Sequence, residues 1–205
     1  MRTITIILSL CIVISCTSQY EKDERDIGNM KTVYFNHFNN TDSVFWTGDD
    51  GDQFAEISQG RYYFESLDSS ARFNAPPFNI DSADNFLIEL AITGPDSEDS
   101  AFYGLIFGNL DQDDEFIELR LNNVGEYHIT SSELLAEGTY NNQINTKLKK
   151  LTVIYRDLDA HFLIDDTEIF KYPIQHYSKL RAGPITAKGS AIWMDFFKVK
   201  KETVP

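Results

Sequence analysis

Between Asn85 and Thr130 the chain alternates in a way that few folds can satisfy. Residues 85–93 read Asn-Phe-Leu-Ile-Glu-Leu-Ala-Ile-Thr. After a polar loop come Phe102-Tyr103-Gly104-Leu105-Ile106-Phe107-Gly108, and after an acidic turn Phe116-Ile117-Glu118-Leu119-Arg120-Leu121. The stretch closes with Gly125-Glu126-Tyr127-His128-Ile129. Successive side chains of a strand point to opposite faces, so a two-residue apolar period marks one buried face. Phe86, Ile88, Leu90 and Ile92 share such a face, and the core is expected there. Aromatic and β-branched residues favour strands, and each run ends on Gly, Asn or Asp, which suit turns. The predicted local structure is an antiparallel meander.

The same grammar extends in both directions. Lys31 to Phe38 is a first strand, followed by a polar loop over 39–52 that carries Phe45-Trp46. Residues 53–58 and 61–66 flank Gln59-Gly60, a hairpin signal. Ala75-Pro76-Pro77 marks an edge or crossover. Beyond it, Lys150–Arg156, His161–Ile164, Thr167–Phe170, Lys179–Ile185 and Ala191–Lys200 are short strands; Asp157-Leu158-Asp159 and Asp165-Asp166 turn the first three into one another. Residues 131–145 lack a strand pattern and leave room for a helical turn. Roughly a dozen strands without an amphipathic helix predict an all-β sandwich or barrel. Fifteen Phe and ten Tyr in 205 residues supply its core.

The N-terminus has a different character. Arg2 is followed by an apolar run from Ile4 to Ile14, too short to cross a bilayer but of the length of a secretory signal. Val13-Ile14-Ser15-Cys16 resembles a bacterial lipobox, which implies cleavage after residue 15 and lipidation of Cys16. The remaining Cys11 lies inside the signal, so the mature chain keeps no thiol for a disulfide. Residues 16–31 then read as the lipidated Cys and a flexible tether. Lys22-Asp23-Glu24 resembles the surface-export signals of Bacteroidota lipoproteins, and reads equally as a solvated linker. The expected address is the cell envelope, lipid-anchored at the outer membrane.

Charge excludes some functions. The net charge is −14, and loss of Arg2 with the signal takes it to −15. Nucleic acid and anionic lipid both recruit Lys and Arg, so neither is an expected partner of the domain; the membrane is met through the lipid alone.

The Phe-Tyr-Gly-Leu-Ile-Phe-Gly strand, its acidic hairpin and the Glu-Tyr-His-Ile strand resemble a bacterial branch of the concanavalin A-like, laminin-G-like jelly rolls. Leu151-Thr152-Val153, Phe162 to Asp166, Ile169-Phe170 and the closing Trp193-Met194-Asp195-Phe196-Phe197-Lys198-Val199 match the same pattern. The resemblance implies an antiparallel two-sheet jelly-roll sandwich over 32–201. It also implies functions ranging from glycan binding and glycan hydrolysis to protein contacts.

Each chemistry asks for particular residues. Jelly-roll glucanases carry Glu-x-Asp-x-(x)-Glu on one strand; the nearest match is Asp114 to Glu118, where Phe116 replaces the central acid. A catalytic pair is therefore not expected. Calcium wants several converging oxygens, for which Asp111, Asp113 and Asp114 are the candidates, with the 49–52 loop as a second. The four His lack metal-motif spacing. Sugar binding wants aromatic platforms and planar polar groups. Trp46, Tyr103, Glu118, Arg120 and Tyr127 are the expected ligand-binding residues, with Tyr62, Tyr63 and Trp193 also available. Asp195 is expected to make a structural hydrogen bond. The leading expectation is a non-catalytic carbohydrate-binding module. A glycan-active hydrolase and a structural partner of an envelope assembly are the alternatives.

Overall fold

The computed structural model describes residues 30–39, 43–68, 70–78, 80, 84–94, 100–109, 116–140, 148–174 and 180–202. The signal, Cys16 and most of the tether lie outside the described residues, as do Asp111, Asp113 and Asp114. All regular structure described is strand. The first eight strands are β1 (Met30–Asn36), β2 (Gly48–Asp49), β3 (Gln53–Ser58), β4 (Arg61–Ser66), β5 (Arg72–Phe73), β6 (Pro77–Phe78), β7 (Phe86–Thr93) and β8 (Tyr103–Gly108). There follow β9 (Phe116–Leu121), β10 (Glu126–Thr130), β11 (Leu134–Thr139), β12 (Leu148–Arg156), β13 (Asp159–Ile164), β14 (Thr167–Pro173), β15 (Leu180–Thr186) and β16 (Ala191–Glu202).

The strands pair antiparallel in two sheets. The nine-stranded sheet runs β14-β13-β12-β7-β16-β4-β3-β2, and β1 takes over from β4 beside the second half of β16. The seven-stranded sheet runs β11-β10-β9-β8-β15, with β5 and β6 sharing the far side of β15. Phe86, Ile88, Leu90 and Ile92 face inward as their period requires, against Tyr103, Leu105 and Phe107 of β8 and Leu119 of β9. Each such side chain contributes about 1.5–3 kcal/mol on full burial.

Three local expectations change. The runs from 86 to 130 are not one meander: β8, β9 and β10 are, but β7 belongs to the other sheet, between β12 and β16. Alternation marks a strand's faces and leaves its neighbours open. Within 131–145, residues 134–139 form β11, an edge strand on β10, where the helical turn had room. An edge strand buries little, so its pattern is weak. The described residues form sixteen strands, among them β2, β5 and β6, two-residue strands that propensity does not register. The hairpin turns do hold: Gln59-Gly60 and Asp165-Asp166 all take positive φ, at 54°, 72°, 48° and 65°.

Candidate binding face

On β9 the inward residues Ile117, Leu119 and Leu121 are core, which turns Phe116, Glu118 and Arg120 outward. The turn centred on Val124 sets the register of β10, so His128 stands opposite Arg120 and Thr130 opposite Glu118. Arg120 donates to the Glu118 carboxylate in an ion pair whose side chains are 29% and 11% exposed. Thr130 Oγ1 donates a second hydrogen bond to Glu118 at 3.1 Å. The His128 ring stacks on Phe102 with centroids 4.3 Å apart and planes 22° apart, and its Nε2 lies 3.8 Å from Glu137 of β11. The face thus holds a guanidinium, a carboxylate, an imidazole, a hydroxyl and a flat aromatic surface.

Beside it, the floor is backbone. Gly104 of β8 faces Arg120, and a Cβ there would overlap the Leu119 carbonyl oxygen. Only glycine lets β8 and β9 approach so closely. Further across, Ile106, Ile185 and Ala75 are buried on the same outer face under Phe116. The Arg120 Nε is buried and meets no acceptor among the described residues.

Of the expected ligand-binding residues, Glu118 and Arg120 come together here. Tyr103 does not: it is 1% exposed, faces the core, and donates to Asn123 Oδ1 at 2.8 Å. Burial pushes its hydroxyl well above the ordinary tyrosine range. Tyr127 pairs with core residue Leu121 and packs inward, its hydroxyl 3.5 Å from the Ile169 carbonyl oxygen of the opposite sheet. The pleat decides both cases, because Gly104 and His128 are the outward neighbours of these tyrosines. His128, Phe102 and Thr130 were not anticipated. The 122–125 turn carried the signal for His128 and Thr130, since it fixes which residues of β10 face Glu118 and Arg120.

Trp46 stands apart, on the side of the sandwich where β2 and β5 are edges. Its backbone is clamped: its N–H donates to Asn74 Oδ1 at 3.4 Å, and its carbonyl accepts from Asn74 Nδ2 at 2.9 Å and from the Tyr62 hydroxyl at 2.8 Å. Gly48, at φ +147°, lets the indole lie close, since a Cβ there would sit 3.1 Å from the ring.

The acidic loop over 49–52 is spent on its own geometry. Asp49 accepts from the Gly51 N–H, Asp50 from the N–H groups of Asp52 and Gln53, and Asp52 pairs with Arg72 at 3.0 Å. Those bonds hold the Asp50 carboxyl below its ordinary value. Among the described residues no three acidic or histidine side chains converge as metal ligands would.

The outer face of the larger sheet carries Tyr63 and Trp193, with ring centroids 4.7 Å apart and Arg61 4.8 Å over the indole. Tyr62 is core. Asp195 is the extra residue of a β-bulge between Met194 and Phe196. No hydrogen bond to its carboxyl is found among the described residues, in place of the structural bond expected. Burial raises its pKa above the ordinary 3.8, with Arg61 opposing.

No protein-family model matches the sequence, and no curated protein does. Solved structures do match. The catalytic domain of an endo-1,3-β-glucanase (laminarinase) from Thermotoga petrophila RKU-1 superposes with a TM-score of 0.63 at 8% identity, over 87% of this chain and 100% of that one. The endo-β-1,3-glucanase of Pyrococcus furiosus gives 0.61 at 7%, over 86% and 96%. The CBM2 module of the evolved Dit of Lactobacillus casei BL23 phage J-1 gives 0.58 at 11%, over 86% and 98%. The fold is a concanavalin A-like jelly roll. Identity this low carries architecture and leaves chemistry to the side chains present.

Proposed function

We propose that this chain is an envelope-anchored lipoprotein whose jelly roll is a non-catalytic carbohydrate-binding module, with the ligand on the β9–β10 face. One observation carries the reading: the outward sequence of β9 is Phe116, Glu118, Arg120, and the single acid in it is ion-paired to Arg120. A glycosidase needs two carboxylates flanking the scissile bond, one of them poised to give up a proton. Glu118 instead accepts from a guanidinium and a hydroxyl, and Glu137, in line with His128 and Arg120, lies two strands away. Such a set suits sugar hydroxyls: Glu118 accepts, Arg120 donates, and the stacked Phe102–His128 pair adds an aromatic surface. Solved neighbours that are endo-1,3-β-glucanases support glycan as the ligand class.

Lipidation of Cys16, anchorage at the outer membrane and a Bacteroidota-type export signal at 22–24 belong to the same proposal, supported by the apolar run that ends at Cys16. A glycan array probed with and without calcium tests the binding reading. Specific hits that are lost in Glu118→Gln/Arg120→Ala and release no reducing sugar are expected. Turnover of the bound glycan overturns the non-catalytic reading in favour of a hydrolase; silence turns attention to an envelope protein partner. Incorporation of labelled palmitate in wild type and not in Cys16→Ser tests the anchor.

A further inference from the structure

We propose that the outer face of the larger sheet docks a second copy of this chain, the two copies packing back to back about a two-fold axis.

The outer face of such a sheet is ordinarily polar. Here it is an aromatic strip. On β16, Met194, Phe197 and Val199 are core, which turns Trp193, Phe196, Lys198 and Lys200 outward on either side of the bulge. Tyr63 of β4 stands opposite Trp193, and Phe35 of β1 stands opposite Lys198. The Tyr63 and Trp193 rings are 4.7 Å apart; Phe35 lies 4.3 Å from His37 and 6.2 Å from Phe196. Phe196 is buried on this face together with Ala91 and Leu87 of β7, while Phe35 is 46% exposed.

The charges of the strip are sorted by sign. At the Trp193 end, Glu56 stands opposite Tyr63 and Glu65 accepts from its hydroxyl. At the other end are Lys198 and Lys200. Elsewhere Arg72, Arg120, Lys149, Lys150, Lys171 and Lys201 each hold a carboxylate within 4 Å. Lys198 and Lys200 hold none among the described residues, although Glu89 is directly opposite Lys198 on β7. Lys198 instead lies over Phe35 and Phe196, 5.2 and 5.8 Å from their ring centroids.

A face that is acidic at one end, basic at the other and aromatic throughout is complementary to itself. A two-fold contact sets residue i against j and j against i. With the axis lying between the two faces and crossing β16 at its bulge, Trp193 meets the partner's Lys198, Tyr63 meets the partner's Phe35, and Glu65 approaches the partner's Lys200. Lys198 thereby gains an indole, the best cation–π acceptor. A net charge of −14 repels two copies in most orientations, whereas this one sets cations against anions. The strip over β12, β7, β16 and the β4–β1 file is about 30 Å long and about 19 Å wide, a footprint of about 600 Å² per copy. That is the small end of specific interfaces, so a Kd of about micromolar order is expected. The β9–β10 face lies on the other sheet and stays open in both copies.

The test uses the mature chain from residue 16 with Cys16→Ser, so that no lipid drives association. Sedimentation over about 1–300 μM should show monomer giving way to dimer and to nothing larger, because a two-fold contact closes. Glu56→Lys/Glu65→Lys and Lys198→Glu/Lys200→Glu should each weaken self-association roughly tenfold or more, since like charges then face each other. An equimolar mixture of these two variants should dimerise, and so should the chain carrying all four changes. Circular dichroism melts check that every variant is folded. Trp193 emission, isolated in Trp46→Phe, should shift with concentration in step with the dimer. A monomer at every concentration overturns the docking surface. So does a dimer indifferent to both reversals, a mixture that stays monomeric, or a dimer that forms with Trp193 emission unchanged. None of the charge changes touches the β9–β10 face, so glycan binding stands or falls separately.

Discussion

Arg120→Ala probes the balance on which the binding face depends. Glu118 is a carboxylate with a side chain 11% exposed, and its charge is met by Arg120 and by the Thr130 hydroxyl. Removing one member of a fully buried ion pair costs about 3–5 kcal/mol, because the remaining charge is left in a poor solvent. Arg120 is itself 29% exposed, so water already screens part of the pair. A loss of about 2 kcal/mol is the discounted expectation. In a domain of this size that corresponds to a fall in Tm of about 4–8 °C. The cause is charge burial, so Glu118→Gln placed in the Arg120→Ala background should recover more than half of it, since the new amide oxygen still accepts from Thr130. Urea unfolding followed by circular dichroism, over the four proteins of the double-mutant cycle, reads the coupling directly. Arg120→Ala within about 0.5 kcal/mol of wild type, the range of an ordinary surface substitution, would show that the pair is solvated and the charge not buried. A double variant no more stable than Arg120→Ala would sink the desolvation reasoning too. The cycle also explains why the binding test pairs the two substitutions: it removes the recognition groups without leaving a stranded charge.

Two further outcomes follow from backbone and burial. Leu158 closes the β12–β13 hairpin at φ 69° after Asp157 at 53°, and it is 50% exposed. Leu158→Gly should stabilise the fold by about 0.5–1 kcal/mol, the relief of left-handed strain exceeding the entropy glycine adds to the unfolded chain, as thermal melts would show. A lower Tm would mean that the side chain packs usefully. Asp195 has a folded pKa raised above 3.8 by burial, opposed by Arg61, so the folded state holds its proton more tightly than the unfolded state. Stability from this group is therefore present below 3.8 and lost as pH rises through the raised value. Asp195→Asn should raise Tm at pH 7, with the advantage shrinking as pH is lowered toward 3.8. An advantage that is independent of pH would contradict this.

The residues themselves determined what is local. The period of two over 86–92 named an inward face that the sandwich buries, and Gln59-Gly60 and Asp165-Asp166 named turns that take positive φ. The absence of a 3.6-residue period left an all-β fold, and the closing Asp-Phe-Phe-Lys-Val strand pointed to the jelly roll. Glu118 and Arg120 were legible as a pair because residues two apart on a strand share a face. The tertiary structure alone decided what depends on neighbours. Tyr103 and Tyr127 carry the right chemistry for a sugar platform, yet the pleat turns them into the core and presents Gly104 and His128 instead. β7 leaves the meander because its partners β12 and β16 are distant in sequence, and hydrogen-bonded pairing has no local signature. Phe73 and Arg120 are 47 residues apart along the chain and stand in one file only because β15 and β8 lie between them. Alternation is a property of one strand, whereas a site is a property of the register among several, and register is settled when the whole core packs.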